Sequence, residues 1–185
     1  PMGRVFSAEY SDGLFTRPVA VKLMRGGFSS QSLEAQFARE CEALATLRHP
    51  HIARLLDNGV TAEGQTYIVT EPVRGPTIIE HAATNGLSTR DTLGVFLLVC
   101  DTLAYAHAHL FVHADLKRGN VFIMADAPKL LDFGVARVLE ATTPLAAAAG
   151  TASPPDPARR YASPARRRGE PATTGDDIYS LGVLL

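Results

Sequence analysis

His113-Ala114-Asp115-Leu116-Lys117-Arg118-Gly119-Asn120, followed twelve residues after Asn120 by Asp132-Phe133-Gly134, carries most of what this chain says about its architecture. The two segments bring carboxylate and amide oxygens and an ammonium group to a strand-poor turn and the end of a short hairpin. Hard oxygen ligands of this kind suit Mg²⁺, which takes a few protein oxygens and completes its shell from phosphate, while Asp115 is left to orient or deprotonate a hydroxyl. Asp132-Phe133-Gly134 alone is only a turn signal. With His113, Asp115, Lys117 and Asn120 at this spacing, and the strand-like Val19-Ala20-Val21-Lys22 upstream, chance is a poor explanation.

Upstream, apolar runs alternate with turn signals. Val5-Phe6, the turn Ser11-Asp12-Gly13 and the run from Val19 to Met24 read as two strands around a turn. Leu33, Phe37, Leu44 and Leu47 recur at helical spacing and predict an amphipathic helix from Ser32 to Leu47, ending before Pro50. Ile52 to Leu56 and Tyr67 to Thr70 read as strands around the turn Asp57-Asn58-Gly59. A linker-like stretch, Glu71 to Pro76, precedes a long apolar helix expected from about Asp91 to Leu110 and entered through Ser88-Thr89-Arg90-Asp91, which has capping-box spacing. Val121 to Met124 and Lys129 to Leu131 form an expected hairpin around Asp126-Ala127-Pro128, and Glu140 to Arg168 is expected to be a long surface segment.

One feature of the first helix is anomalous: the stripe 33, 37, 40, 44, 47 places Glu40 on the apolar face. A buried carboxylate needs a partner, and Lys22, between Val21 and Leu23, is the expected one. The bland alternative puts Glu40 at the edge of the stripe, in reach of water.

The chain has 185 residues, enough for about one domain, with 46% hydrophobic and 20% charged residues. This excludes collagenous, low-complexity and wholly disordered chains. Eighteen basic and nineteen acidic side chains give a net charge of -1, so no global field draws it to nucleic acid or an anionic membrane. The only cysteines, Cys41 and Cys100, support neither a disulfide framework nor a thiolate metal site. No apolar run has membrane-spanning length and the first ten residues lack a signal-peptide core, so a cytoplasmic location is expected, any membrane anchor lying beyond residue 185. The chain starts at Pro1 and stops inside an apolar run at Leu185, so it is expected to be a fragment with doubtful activity on its own.

These motifs resemble the catalytic domain of eukaryotic-type serine/threonine protein kinases of the sort found in bacteria, over almost the whole chain. The resemblance implies an α+β, bilobal fold: residues 1–70 form a lobe with an antiparallel sheet and one helix, lacking the start of the glycine-rich loop. Residues 71–76 form a hinge and 77–185 an incomplete, mainly helical lobe. It implies transfer of the γ-phosphoryl group of ATP, with Mg²⁺, to serine or threonine hydroxyls of proteins, with no specific nucleic acid as partner; the oligomeric state is left open. Asp115 would be the catalytic base and Lys117 the contact to the transferred group. Asn120 and Asp132 would ligate the metal. The nucleotide would be held by Val5, Ala20, Lys22, Glu40, Glu71, Val73, Asn120, Phe122 and Asp132. Leu44, Leu55, His113 and Phe133 would stack between the lobes, Tyr161 to Pro164 would end the activation segment, and Asp177 would support the catalytic loop.

The chain departs from the family at three positions. Ala114 replaces the Arg that docks a phosphorylated activation loop, Ala165 replaces a Glu after Ser163-Pro164, and Ala158 replaces a Thr that contacts the catalytic pair. A small-molecule phosphotransferase similar to aminoglycoside kinases and a nucleotide-binding pseudokinase scaffold are the alternatives. His49, His51, His107 and His109 lack the spacing of a zinc site and read as structural. Arg159, Arg160, Arg166, Arg167 and Arg168 read first as a solvated loop, with acidic substrate segments or nucleic acid as the functional alternatives. Thr142, Thr143, Thr151 and Ser153 are candidate autophosphorylation sites.

Overall fold

β-Branched residues in the run from Val19 to Met24 favour extended backbone, and the turn before them folds the chain back on itself. In a computed structural model of the chain, which describes residues 3–11, 13–24, 31–133, 135 and 157–185, this gives β1 (Gly3–Ser11) paired antiparallel with β2 (Thr16–Met24). Two more strands, β3 (Leu55–Val60) and β4 (Thr66–Thr70), complete a four-stranded antiparallel sheet in the order β1-β2-β4-β3. Val5 lies opposite Lys22, Lys22 opposite Ile68, and Ala20 opposite Thr70. Cross-strand partners point to one face and side chains alternate along a strand, so Val5, Ala20, Lys22, Met24, Ile68 and Thr70 share a face.

That face receives α1 (Gln31–Ala45), whose Phe37 and Cys41 pack with Met24, Ile68 and Val135. The buried stripe is Phe37, Cys41 and Leu44, and Glu40 sits half-buried on its flank. The expected ion pair is corrected here: Lys22 is paired with Asp132, and Glu40 forms no ion pair with it. At 3.6 residues per turn a stripe through 37, 41 and 44 fits as well as one through 37, 40 and 44, and the former leaves the carboxylate at the hydrated edge.

The turn expected at Asp57-Asn58-Gly59 is also corrected. These residues lie inside β3, and the chain reverses at 61–65, closed by the Thr61 N–H donating to the Gln65 carbonyl at 2.8 Å. Gly59 is needed for packing rather than for turning. It lies opposite Tyr67, and a Cβ there would come within 2.6 Å of the phenol oxygen.

A helix not expected from the sequence, α2 (Ile78–Asn85), follows the linker. It is capped by Thr77, whose hydroxyl and backbone exchange hydrogen bonds with Glu80, and it ends on Gly86 in the left-handed conformation. Next comes α3 (Thr89–Ala108), capped by Ser88 and buried along Val99, Thr102, Leu103 and Ala106. The hairpin of β5 (Val121–Met124) and β6 (Ala127–Leu130) turns at Ala125 and Asp126, both at positive φ. Near the C-terminal end lie a short α4 (Pro164–Arg167) and α5 (Thr174–Leu184). No helix among the described residues is long and apolar enough to cross a membrane.

The hairpin joins the two parts of the molecule. Ile123 N–H donates to the Pro76 carbonyl (2.9 Å), Ala53 N–H to that of Leu130 (2.8 Å) and Leu130 N–H to that of His51 (2.8 Å). Its side chains meet Leu44, Leu47, Ile52, Val99, Leu103 and Phe133 in one core. The linker approaches β5 so closely that a Cβ at Gly75, where φ is 155°, would stand 2.1 Å from the Ile123 carbonyl oxygen. Gly75→Ala is therefore expected to cost about 2–4 kcal/mol from overpacking and backbone strain. Thermal unfolding should show it as a midpoint about 5–15 °C lower.

Candidate active site

The loop after α3 has a strained backbone held by one acid. Ala114 sits at φ 67°, outside the region preferred by residues with a Cβ. Asp177, fully buried on α5, accepts the His113 N–H on Oδ2 at 2.8 Å and the Ala114 N–H on Oδ1 at 2.9 Å. His107 Nε2 lies 2.8 Å from the same Oδ2. A capping box at Thr173 and Asp176 opens α5 and sets Asp177 in its first turn, facing that loop.

From this support the loop presents its polar residues together. Lys117 Nζ is 2.5 Å from Asp115 Oδ2. The Asn120 side-chain amide donates to the Asp115 carbonyl at 2.8 Å and approaches Asp115 Oδ2 at 3.4 Å. Because Asn120 Nδ2 is committed to Asp115, its Oδ1 is the atom left to face a cation. The Leu131 N–H donates to the Asn120 carbonyl at 2.9 Å, which brings Asp132 beside Asn120. Asp132, at φ 60°, receives Lys22 Nζ on Oδ2 at 2.7 Å. The ammonium of β2 and the carboxylate after β6 are 110 residues apart in sequence.

The donor set, one carboxylate and one amide side chain on adjoining segments, suits Mg²⁺, which takes a few protein oxygens and completes its octahedron from phosphate and water. Among the described residues no group of three His, Cys, Asp or Glu could hold a metal. His49 and His109 instead stack against Tyr105, with ring centroids 4.7 and 4.3 Å apart. Burial pushes the Cys41 thiol up to about 12, so it offers no thiolate.

The remaining site residues lie around this centre. Val5 and Ala20 are on the Lys22 face of the sheet, and Phe122 is half-buried on β5. Val73 is half-buried in the linker. The Glu71 N–H donates to the Arg54 carbonyl. The Glu71 carboxylate, a feature sequence reasoning missed, accepts the Arg54 N–H at 2.9 Å and Lys129 Nζ at 2.7 Å. Lys129 Nζ also donates to the Pro50 carbonyl (2.8 Å), so one ammonium ties linker, hairpin and post-α1 turn together. Only a cation two residues before Leu131 hinted at this. Leu44, Leu55 and Phe133 line one small cavity, and the His113 ring packs 4.9 Å from that of Phe133. Gly134 and the four candidate phosphorylation sites lie outside the described residues, as does the side chain of Ala158.

The segment after residue 156 is fixed without the Glu that Ala165 replaces. Ser180 Oγ donates to the Tyr161 carbonyl at 2.8 Å, and the Ser163 hydroxyl bonds Asp176. Burial raises the Asp176 carboxyl, but hydrogen bonds from Ser163 and Thr173 outweigh it and hold the group below the usual range.

His113 is fully buried and its Nε2 has no hydrogen-bond partner. Burial lowers its pKa despite the opposing fields of Asp177, Asp115 and Asp132. The folded state thus binds its proton more weakly than the unfolded chain. The neutral ring contributes fully above the unfolded value of about 6.5, and stability is lost as pH falls below it. The unfolding midpoint should drop between about pH 7 and 5, and the drop should be smaller in His113→Phe.

Comparison with known proteins gives one family and a set of bacterial relatives. The family described as protein kinase domain matches residues 2–185. The chain is 36% identical over 202 residues to the probable serine/threonine-protein kinase PknB of Bifidobacterium longum, covering all of this chain and 28% of that protein. It is 34% identical over 188 residues to serine/threonine-protein kinase PrkC of Bacillus subtilis, with the same coverage. The chain thus spans about a quarter of the length of these relatives. Among solved structures, the PknI kinase domain of Mycobacterium tuberculosis superposes with a TM-score of 0.71 at 25% identity, over 99% of this chain and 66% of that one.

Proposed function

Since this chain belongs to the protein kinase family, we propose that it performs ATP- and Mg²⁺-dependent transfer of the γ-phosphoryl group to serine and threonine hydroxyls of proteins. In this reading residues 1–70, 71–76 and 77–185 are the sheet lobe, hinge and helical lobe of a kinase domain. The observation that carries it is the meeting of Lys22 with Asp132, beside Asn120 and the Asp115–Lys117 pair.

The nucleotide base would lie between Val5 and Ala20 on one side and Phe122 on the other, against backbone groups of Glu71 and Val73, with Glu40 as the nearby α1 carboxylate. Lys22 would hold phosphate oxygens. Asn120 and Asp132 would hold Mg²⁺, which supplies neutralisation of phosphate charge. Asp115 orients the acceptor hydroxyl and takes its proton as the hydroxyl oxygen bonds to the γ-phosphorus; the bond from that phosphorus to the β–γ bridging oxygen breaks and ADP leaves. Lys117, 2.5 Å from Asp115, would meet the charge on the moving phosphoryl group. Such positioned acid–base help is worth about 10²–10⁴ in rate.

The test is nucleotide binding by the full-length protein, with and without Mg²⁺, alongside transfer to an acceptor protein. Mg²⁺-dependent ATP affinity and labelled acceptor are expected. Binding with no turnover would overturn the assignment in favour of a scaffold.

A further inference from the structure

Five arginines, Arg159, Arg160, Arg166, Arg167 and Arg168, stand within ten residues, with Glu170 as the one acidic neighbour in the stretch that follows up to Gly175. The structure gives this cluster an address. Asp176, Asp177 and Ser180 of α5 hold, respectively, the Ser163 hydroxyl, the backbone of His113 and Ala114, and the Tyr161 carbonyl. The arginine segment and the loop that carries Asp115 are therefore fixed to the same turn of one helix.

The way Arg167 is held matters. Its Nε donates to the Ala162 carbonyl at 2.9 Å, and its Nη2 lies 3.4 Å from the Arg160 carbonyl and from the Tyr179 hydroxyl. These are neutral acceptors: they fix the guanidinium and leave its charge in place. Arg168 meets Glu170 at 2.7 Å, but both are more than half exposed, and such surface pairs hold each other weakly. Arg159 is exposed and joins no ion pair among the described residues. The pre-set Arg167 guanidinium matches a carboxylate geometrically, and the exposed Arg159 and Arg168 beside it add positive charge.

The geometry points to a docking surface for acidic protein segments, so that the preferred acceptors are serines or threonines flanked by Asp or Glu. This deepens the phosphotransferase reading and rests on it. Nucleic acid fits less well. Tyr161 is the one aromatic within the arginine segment, and it is buried, with the Arg160 guanidinium 5.8 Å over its ring, so it offers bases no stacking platform.

The experiment compares kcat/KM of the full-length protein on serine peptides whose flanking residues are Asp/Glu, neutral or Lys. Acidic peptides are expected to exceed neutral ones by about tenfold, equivalent to ~1.4 kcal/mol, mostly through KM. Raising NaCl from about 50 to 500 mM should erode the preference, since the Debye length falls to a few ångströms. In Arg159→Glu/Arg168→Glu the acidic-to-neutral ratio should fall to one or below, and Arg159→Lys/Arg168→Lys should keep most of it. Equal use of all three peptide classes by the wild type would overturn this inference alone, and phosphorylation of none would overturn the phosphotransferase reading with it. Tight oligonucleotide binding that Arg159→Glu/Arg168→Glu abolishes, without any peptide preference, would overturn it in favour of nucleic acid.

Discussion

Asp115→Asn is expected to lower phosphoryl transfer by about 10²–10⁴ while leaving nucleotide affinity within a few-fold of wild type. Asp132→Asn should show the converse emphasis, with Mg²⁺-dependent ATP affinity itself reduced by roughly 10–100-fold. The division follows from what each carboxylate touches. Asp115 is engaged by Lys117 and Asn120 on the loop that would face an acceptor hydroxyl, whereas Asp132 is engaged by Lys22 and stands beside Asn120. An amide at 115 keeps the shape but can take no proton; one at 132 removes the anionic oxygen a hard cation needs. Asp132→Asn also leaves the largely buried Lys22 ammonium without its carboxylate, so a modest fall in thermal midpoint should accompany it. Equal loss of nucleotide affinity in both variants would refute this division of labour. Isothermal titration with ATP, with and without Mg²⁺, checks it directly.

Asp177→Ala should destabilise the fold more than Gly75→Ala or either carboxylate-to-amide change at 115 and 132. The side chain is 1% exposed and accepts two backbone N–H groups, from His113 and Ala114. Removing it strands both donors, each at a cost of about 1–3 kcal/mol, and releases the strained Ala114 backbone. A total of about 2–6 kcal/mol is a large part of the ~5–15 kcal/mol that holds a domain together. The thermal midpoint should fall by roughly 5–20 °C, and transfer should fall with it because Asp115 loses its platform. A midpoint within about 2 °C of wild type would show that the loop is held by other contacts.

How much of this could be read from the chain varies with the kind of signal. Helices α1 and α3 come through because their apolar residues repeat at helical spacing, and the β1–β2 and β5–β6 pairs because apolar runs flank turn residues, although the second turn falls at Ala125 and Asp126 and leaves Ala127 and Pro128 inside β6. The turn at Asn58-Gly59 misleads for a physical reason: a glycine that turns the chain and one that makes room for Tyr67 look alike until the pairing is known. Helix α2 is too short for periodicity to show, and only its caps, Thr77 with Glu80 and Gly86, announce it.

At the site, the local spacing of Asp115, Lys117 and Asn120 is legible because five residues fix their geometry. The partner of Lys22 is not. Two acids compete for it from distant parts of the chain, and the choice of Asp132 over Glu40 depends on where the α1 stripe falls, a matter of one residue. The linkage of Glu71, Lys129 and Pro50 is invisible for the same reason, since it closes only when hairpin and linker pack. The arginine cluster is plain in the sequence. Its meaning depends on Ser180 and Asp176, which tie it to the turn of α5 that supports the loop carrying Asp115.

The central claim is that Asp115 and its neighbours move the γ-phosphoryl group of ATP onto a protein hydroxyl. Phosphoamino-acid analysis of an acceptor protein incubated with the full-length protein, γ-³²P-labelled ATP and Mg²⁺ tests it most directly. Label on phosphoserine or phosphothreonine, lost in Asp115→Asn, is the predicted result. Label only on inorganic phosphate or a small-molecule hydroxyl, or label on protein undiminished by Asp115→Asn, would contradict it.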